Sequence, residues 1–203
     1  MKIICIGRNY LPHIQELGHK VPTEPTFFLK PESAMVIRNR PFFLPDFSQQ
    51  VEYEVELIYR INKVGKYIQE KYAHTYYDAI GLGIDFTARD LQKNCIENGN
   101  PWEIAKAFDG SAVMSQFIDK EEFDDLNNLD FHLDLNGKTV QSGNSSEMIF
   151  TIDKIISYVS QFMTLKMGDV IYTGTPKGVG KVAINDHLEG WIGDRKLLNF
   201  RVK

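Results

Sequence analysis

The sequence predicts an α+β, mainly β fold made of many short strands and loops, and three observations carry that reading. Residues Val51 to Leu57 alternate with period two, acidic on one face and apolar on the other. Phe131 to Leu135 alternates in the same way, and Asn136-Gly137 followed by Lys138-Thr139-Val140 completes a hairpin. Between residues 21 and 50, Pro22, Pro25, Pro31, Pro41 and Pro45 break any helical periodicity and leave an irregular wrap.

The chain has 203 residues, 43% of them hydrophobic and 25% charged, which fits one sizeable domain over residues 1–203 and the ordinary composition of a globular protein. A formal charge of −4, without a basic tract interleaved with aromatics, argues against a nucleic-acid partner. Cys5 and Cys95 have no metal-ligand spacing and are too few for a disulfide framework, so a reducing cytoplasm suits them. The opening apolar run ends at Arg8, too soon for a signal-peptide core, and no run approaches the length of a membrane span.

In chain order, Lys2 to Ile6 reads as a short buried strand, followed by the polar turn Gly7-Arg8-Asn9-Tyr10. Pro12 sits in the first turn of a helix that runs through Leu17 and stops at Gly18. Its His13 and Glu16 are three apart and share a face. A carboxylate on one ring nitrogen fixes the tautomer and leaves the other nitrogen as a base, although an exposed pair of no consequence has the same spacing. Phe27 to Pro31 is a short strand, and its Lys30 either reaches a substrate carboxylate or is solvated.

In the acidic stretch, Glu52, Glu54 and Glu56 share a face, while Val51, Tyr53, Val55 and Leu57 enter a core. Carboxylates that close repel one another unless a positive group lies between them, and an oxygen-seeking divalent cation answers that need. Read alone, the stretch also describes a half-exposed strand with an acidic, solvated face. Tyr67 to Tyr77 then reads as a short helical segment, Asp78 to Leu82 as a connection and Gly83 to Phe86 as a strand, which puts Asp85 at a strand-to-helix handover. Thr87 is the expected cap, with Asp90 three residues on. Arg89 and Gln92 share a helical face, a fork and an amide suited to a carboxylate. Lys106 lies among apolar neighbours in Trp102 to Phe108, where it either snorkels out or serves a site.

His132, opposite the apolar positions of its strand, reads as a surface histidine. Ile152 to Phe162 is an amphipathic helix, and Leu165 to Asp169 a turn into the strand Val170 to Tyr172. Thr173 to Gly180 looks like a phosphate loop but lacks Ser or Thr after Lys177, so a backbone-donor loop for an oxyanion or carboxylate fits it better. Asp186, His187 and Glu189-Gly190 precede a final strand from Lys196 to Val202.

Taken together, Gly7-Arg8-Asn9-Tyr10 with His13 and Glu16, Phe28-Leu29-Lys30-Pro31, Glu54-Val55-Glu56-Leu57, Asp85 through Gln92, Lys106 and Thr173 to Gly180 resemble the fumarylacetoacetate hydrolase family, in its order and along the whole chain. The likeness is to its short members, acylpyruvate hydrolases and oxaloacetate decarboxylases. It implies a mixed β-roll of the C-terminal-domain type with short helices, a homodimer, and Mg²⁺ or Mn²⁺ on Glu54, Glu56 and Asp85, with Glu52 as a spare carboxylate. It further implies a water-activating pair, His13 and Glu16, on a mobile segment within residues 1–20 that closes over the site. Lys106 would stabilise an oxyanion, and Arg8, Lys30, Arg89, Gln92 and Thr175 would contact substrate. The activity implied is metal-dependent C–C hydrolysis of 2,4-dioxo acids, decarboxylation of oxaloacetate through a metal-bound enolate, or both. An isomerase or tautomerase of 2-hydroxymuconate-type or oxaloacetate-type keto acids would use the same metal site. A non-catalytic binding protein would instead predict an incomplete constellation.

Overall fold

The computed structural model describes residues 1–16, 18 and 20–203. Strand β1 (Ile3–Gly7) leads into helix α1 (Leu11–Glu16), then β2 (Thr26–Lys30) and β3 (Met35–Ile37). The acidic stretch gives β4 (Val51–Tyr53) and β5 (Val55–Ile61), followed by α2 (Glu70–Ala73), β6 (Tyr77–Asp85) and β7 (Thr87–Ala88). Next come α3 (Arg89–Asn98), α4 (Glu103–Lys106), β8 (Ala112–Met114), β9 (Ile118–Asp119) and the hairpin β10 (Asp130–Leu135) and β11 (Lys138–Asn144). Helix α5 (Ile152–Phe162), β12 (Val170–Tyr172), β13 (Gly180–Lys181), β14 (His187–Ile192) and β15 (Arg195–Arg201) complete the chain.

These strands form a mixed sheet in the order β2-β1-β12-β5-β6-β8-β3, with β9 also on β6, a four-stranded sheet β11-β10-β14-β15, and a small sheet β13-β4-β7. The β1–β12 and β3–β8 pairs are parallel and the others antiparallel, so the expected mixed β-roll with short helices is what the chain forms. The main core lies between the sheets and is closed by α5, whose Ile152, Ile155, Ile156 and Val159 are buried. Asn136 and Gly137 both have positive φ, as the β10–β11 turn demands.

Several local expectations are corrected. The acidic stretch is not one strand: it breaks at Glu54, where β4 departs to pair with β7 and β13 while β5 joins the large sheet. Its acidic face is not solvated, because Glu52, Glu54 and Glu56 are all buried. Residues 67–77 hold only the single turn of α2, and residues 78–82 are not a connection but the middle of β6. Gly81 lies in the stretch read as a connection, yet it and Gly83 are where the sheet has no room for a side chain: a Cβ would lie 2.8 Å from Ser115 Oγ at Gly81 and 2.5 Å from the Tyr172 ring at Gly83. Thr87 does not cap α3; the residue there is Ala88, without a side-chain cap, and the Thr87 hydroxyl bonds Lys106 instead. His132 is half-buried against Trp191, with ring centroids 5.8 Å apart, and His187–Ile192 is a strand that the sequence reading passed over. Leu17 lies outside the described residues.

Candidate active site

Strands β5 and β6 are antiparallel, with Glu56 opposite Gly83, and the Asp85 amide donates to the Glu54 carbonyl at 2.9 Å. This pairing brings one carboxylate oxygen each of Glu54, Glu56 and Asp85 within 4.8 Å of one another, all buried. Three such groups cannot all ionise in a dry site without compensation. Burial first, then Asp85 and Glu54, pushes the Glu56 carboxyl well above its ordinary range. Burial also opposes ionisation of Glu54, but the Lys106 ammonium and the Arg89 guanidinium prevail and hold it below the ordinary range.

Lys106, carried on the single turn of α4, spends its three donors on Glu54 Oε2 (2.8 Å), Asp85 Oδ2 (2.8 Å) and Thr87 Oγ1 (2.6 Å). Burial pulls this ammonium down, yet Asp85 and Glu54 raise it to about 12. Arg89 forks from Glu52 Oε2 (2.7 Å) to Glu54 Oε1 (2.5 Å) and also donates to Gln92 Oε1 (2.5 Å). Because the Gln92 oxygen is taken by a group that only donates, its amide nitrogen is left to donate elsewhere. Glu52 is thus an anchor for Arg89.

The donor set fits a hard divalent cation, being three buried carboxylates with oxygen-only donors. Asp85 Oδ1 lies 2.8 Å from Lys30 Nζ but outside hydrogen-bonding alignment, so a buried acceptor remains unmet. Lys30 itself is neither solvated nor on the cavity wall. It stands behind Asp85, bonded to the Lys106 carbonyl and, at 3.0 Å, to Ser111 Oγ.

The loop from Thr173 to Gly180 is a backbone-donor loop, and the carboxylates it holds belong to the protein. The Gly174 amide donates to Glu56 Oε2 at 2.5 Å, and the Gly178 amide donates to both Glu16 oxygens at 3.1 and 3.2 Å. Glu16 in turn meets His13 Nδ1 at 3.1 Å, which leaves Nε2 free. Asn9 pins the preceding turn through Phe150 and Thr173, while Arg8 adopts φ 60°, an uncommon conformation for a side-chain-bearing residue.

These parts meet around a cavity of about 50 Å³ lined by Arg8, His13, Glu54, Glu56, Asp85, Arg89, Gln92, Lys106 and Thr175, with Ile6, Phe28, Ile96 and Trp102 as its apolar walls. Of the predicted site residues, only Lys30 and Glu16 do not line it; each instead supports a residue that does. The sequence reading missed Gln141, and it expected a backbone-donor loop at 173–180 without naming the Gly174 and Gly178 amides or the protein carboxylates they hold. The two glycines carry a signal in their spacing, whereas Gln141 carries none.

A mixed β-roll with a buried acidic triad, a cationic surround and a His–Glu pair at one small cavity describes an enzyme scaffold whose carboxylates could hold a metal ion. The fumarylacetoacetate (FAA) hydrolase C-terminal family description matches residues 2–202, and the chain belongs to that family. It is 42% identical over 201 residues to the mitochondrial oxaloacetate tautomerase of Mus musculus, covering 99% of this chain and 91% of that one. It is 41% identical over 188 residues to an oxaloacetate tautomerase of Escherichia coli, covering 92% and 86%. Among solved structures, fumarylpyruvate hydrolase from Pseudomonas aeruginosa in complex with Mn²⁺ and pyruvate superposes with a TM-score of 0.94 at 34% identity, covering 100% of this chain and 89% of that chain.

Proposed function

We propose that this protein is a divalent-metal-dependent enzyme that interconverts the keto and enol forms of a small 2-oxo acid, with oxaloacetate as substrate. The observation that carries the proposal is the carboxylate cluster inside a cavity of about 50 Å³ that also presents Arg8, His13, Arg89, Gln92, Lys106 and Thr175 between apolar walls. The identity to relatives named oxaloacetate tautomerases supports it. Mg²⁺ or Mn²⁺, held by Glu54, Glu56 and Asp85, would polarise the 2-oxo oxygen as a Lewis acid. The Arg8 guanidinium and the free amide nitrogen of Gln92 orient the carboxylates, and Thr175 adds a hydroxyl. His13, with Nδ1 directed to Glu16, takes a proton from C3 at Nε2 and returns one to the 2-oxo oxygen; the reverse sequence restores the ketone. The fixed ammonium of Lys106 offsets the negative charge that grows between the two transfers.

The His13–Glu16 pair favours a second reading, hydrolysis of small acylpyruvates. His13 removes a proton from water as the oxygen attacks C4, the C3–C4 bond breaks, and the proton goes to C3, giving pyruvate and a carboxylic acid. In both readings residues 1–203 act as one catalytic domain, with the His13-bearing segment closing over the cavity. Family resemblance supports a homodimer, and two buried free thiols suit a reducing compartment such as the cytoplasm.

One experiment separates the reactions. Purified protein is given oxaloacetate and acetylpyruvate with Mg²⁺, with Mn²⁺ and with EDTA. Decay of enol absorbance reports tautomerisation, pyruvate with carbon dioxide reports decarboxylation, and pyruvate with acetate reports hydrolysis. Metal-dependent enol decay is expected to be fastest. No metal-dependent change with either substrate would overturn the proposal.

A further inference from the structure

Gln141 lies on β11, in the four-stranded sheet, and is 1% exposed. Its side chain leaves that sheet and reaches the cavity-lining Thr175 from outside the cavity, and every polar atom of the amide finds a partner. Oε1 accepts from the Val55 amide at 2.9 Å, while Nε2 donates to Thr175 Oγ1 at 2.8 Å and to the Pro176 carbonyl at 2.9 Å. The approach is built on both sides: a Cβ on Gly143 would lie 2.9 Å from the Pro176 side chain, so only glycine lets the loop sit this close to β11.

The amide cannot be turned over. The Val55 N–H only donates and the Pro176 carbonyl only accepts, so oxygen must face the first and nitrogen the second. Val55 needs this acceptor because the chain breaks between β4 and β5 at Glu54, leaving a buried N–H between two of the three clustered carboxylates. Thr175 then has no choice of role either. A hydroxyl beside a donor-only nitrogen must accept from it, which turns its own proton away. Among the described residues the Thr175 hydroxyl makes no bond besides the one to Gln141, and Thr175 lines the cavity.

We propose that Gln141 is a positioning residue: by donating to Thr175 it fixes that hydroxyl as a hydrogen-bond donor toward an oxygen of the bound 2-oxo acid. This rests on the reading that Thr175 contacts substrate. A Gln141 without the amide nitrogen would free the hydroxyl to turn back or to rotate, and an oxyanion would lose a preset donor.

The test is a double-mutant cycle on oxalate binding, measured by calorimetry in saturating Mn²⁺. The variants are Gln141→Met and Thr175→Val, alone and together, with Mn²⁺ affinity and melting temperature recorded for each. Thr175→Val is expected to weaken oxalate at least about 10-fold and Gln141→Met by a similar factor, the bond lost being one to a charged oxygen. The double variant is expected to be no weaker than either single one, because Gln141 acts through Thr175. General loosening of the site would instead weaken oxalate again in the Thr175→Val background, and that result overturns the proposal. So does oxalate affinity within twofold of wild type for Gln141→Met when Thr175→Val is impaired. An unimpaired Thr175→Val points elsewhere: it removes Thr175 from the substrate contacts, and the proposal falls with it. Should Gln141→Met fail to fold, Gln141→Glu serves, since it keeps an acceptor for Val55 and draws the Thr175 proton to itself. Its added charge is present in both backgrounds, so the difference between them still isolates the hydroxyl.

Discussion

The carboxylates Glu54, Glu56 and Asp85 face the same cavity as His13, but the two sides are held in different ways. Glu56 and Asp85 project from paired strands and Glu54 from the break between β4 and β5, and the three are tied by Lys106, Arg89, Lys30 and the Gly174 amide, all deep in the molecule. The His13–Glu16 pair stands on a six-residue helix, and Glu16 is held from outside the helix by the Gly178 amide alone among the described residues. A helix this short has little stability of its own, so its place depends on what it docks against. The difference sets a densely tied carboxylate floor, the proposed cation site, against a side whose Glu16 is held from outside its helix by one amide.

The largest effect is expected where the floor itself is broken. Asp85→Asn removes one of the three carboxylates of the proposed metal site while leaving Lys30 and Lys106 without the charge they share, so the site gains net positive charge. Calorimetric titration should show Mn²⁺ affinity falling by at least about 100-fold, beyond what the loss of an outer-shell partner costs. Turnover should fall with it. Affinity within a few-fold of wild type would mean that the cation sits elsewhere.

The opposite side should break without the floor. At Gly178 the backbone has φ +97°, and a Cβ would lie 2.4 Å from the Val140 carbonyl oxygen. Gly178→Ala is therefore expected to cost about 1 kcal/mol or more in stability and to displace the amide that holds Glu16. Turnover should drop about 10-fold, a misplacement effect, with Mn²⁺ affinity close to wild type. His13→Ala sets the limit of the same effect, since it removes the proposed base outright, at about 100-fold or more. A Gly178→Ala variant that loses metal before it loses turnover would erase the distinction between the two sides.

Legibility in the sequence follows the same division. Period-two and helical patterns are local, so the β10–β11 hairpin, α5 and the shared face of Glu54 and Glu56 could be read from a few residues each. The destinations of single side chains depend on partners far along the chain. Lys30 reads as a solvated lysine or a substrate contact until β2 is placed beside Asp85, 55 positions away, and Gln141 bonds Val55 across 86 positions. The start of β6 misled for a related reason. Gly81 sits in the stretch read as a connection, and it, like Gly83, is required by the side chains of Ser115, Ile58 and Tyr172, which only the assembled sheet brings near. The Thr173–Gly180 loop was half legible: its glycines announced free amides, but nothing local said that the anions would be Glu56 and Glu16.

The smallest effect concerns protons at the floor. Burial and the neighbouring Asp85 and Glu54 raise the Glu56 carboxyl in the folded protein well above the value of an unfolded glutamate. Between those two values the native state holds a proton that the unfolded chain has released, so unfolding releases protons and stability falls as pH rises. Below both values the two states are equally protonated and the contribution is flat. Metal-free wild type should therefore lose melting temperature as pH climbs through this window, whereas Glu56→Gln, which has no proton to lose there, should follow a shallower course. Saturating Mn²⁺ should reverse the slope, because the cation binds the deprotonated site and competes with that proton. Parallel wild-type and Glu56→Gln curves without metal would show that Glu56 traps no proton in the folded protein.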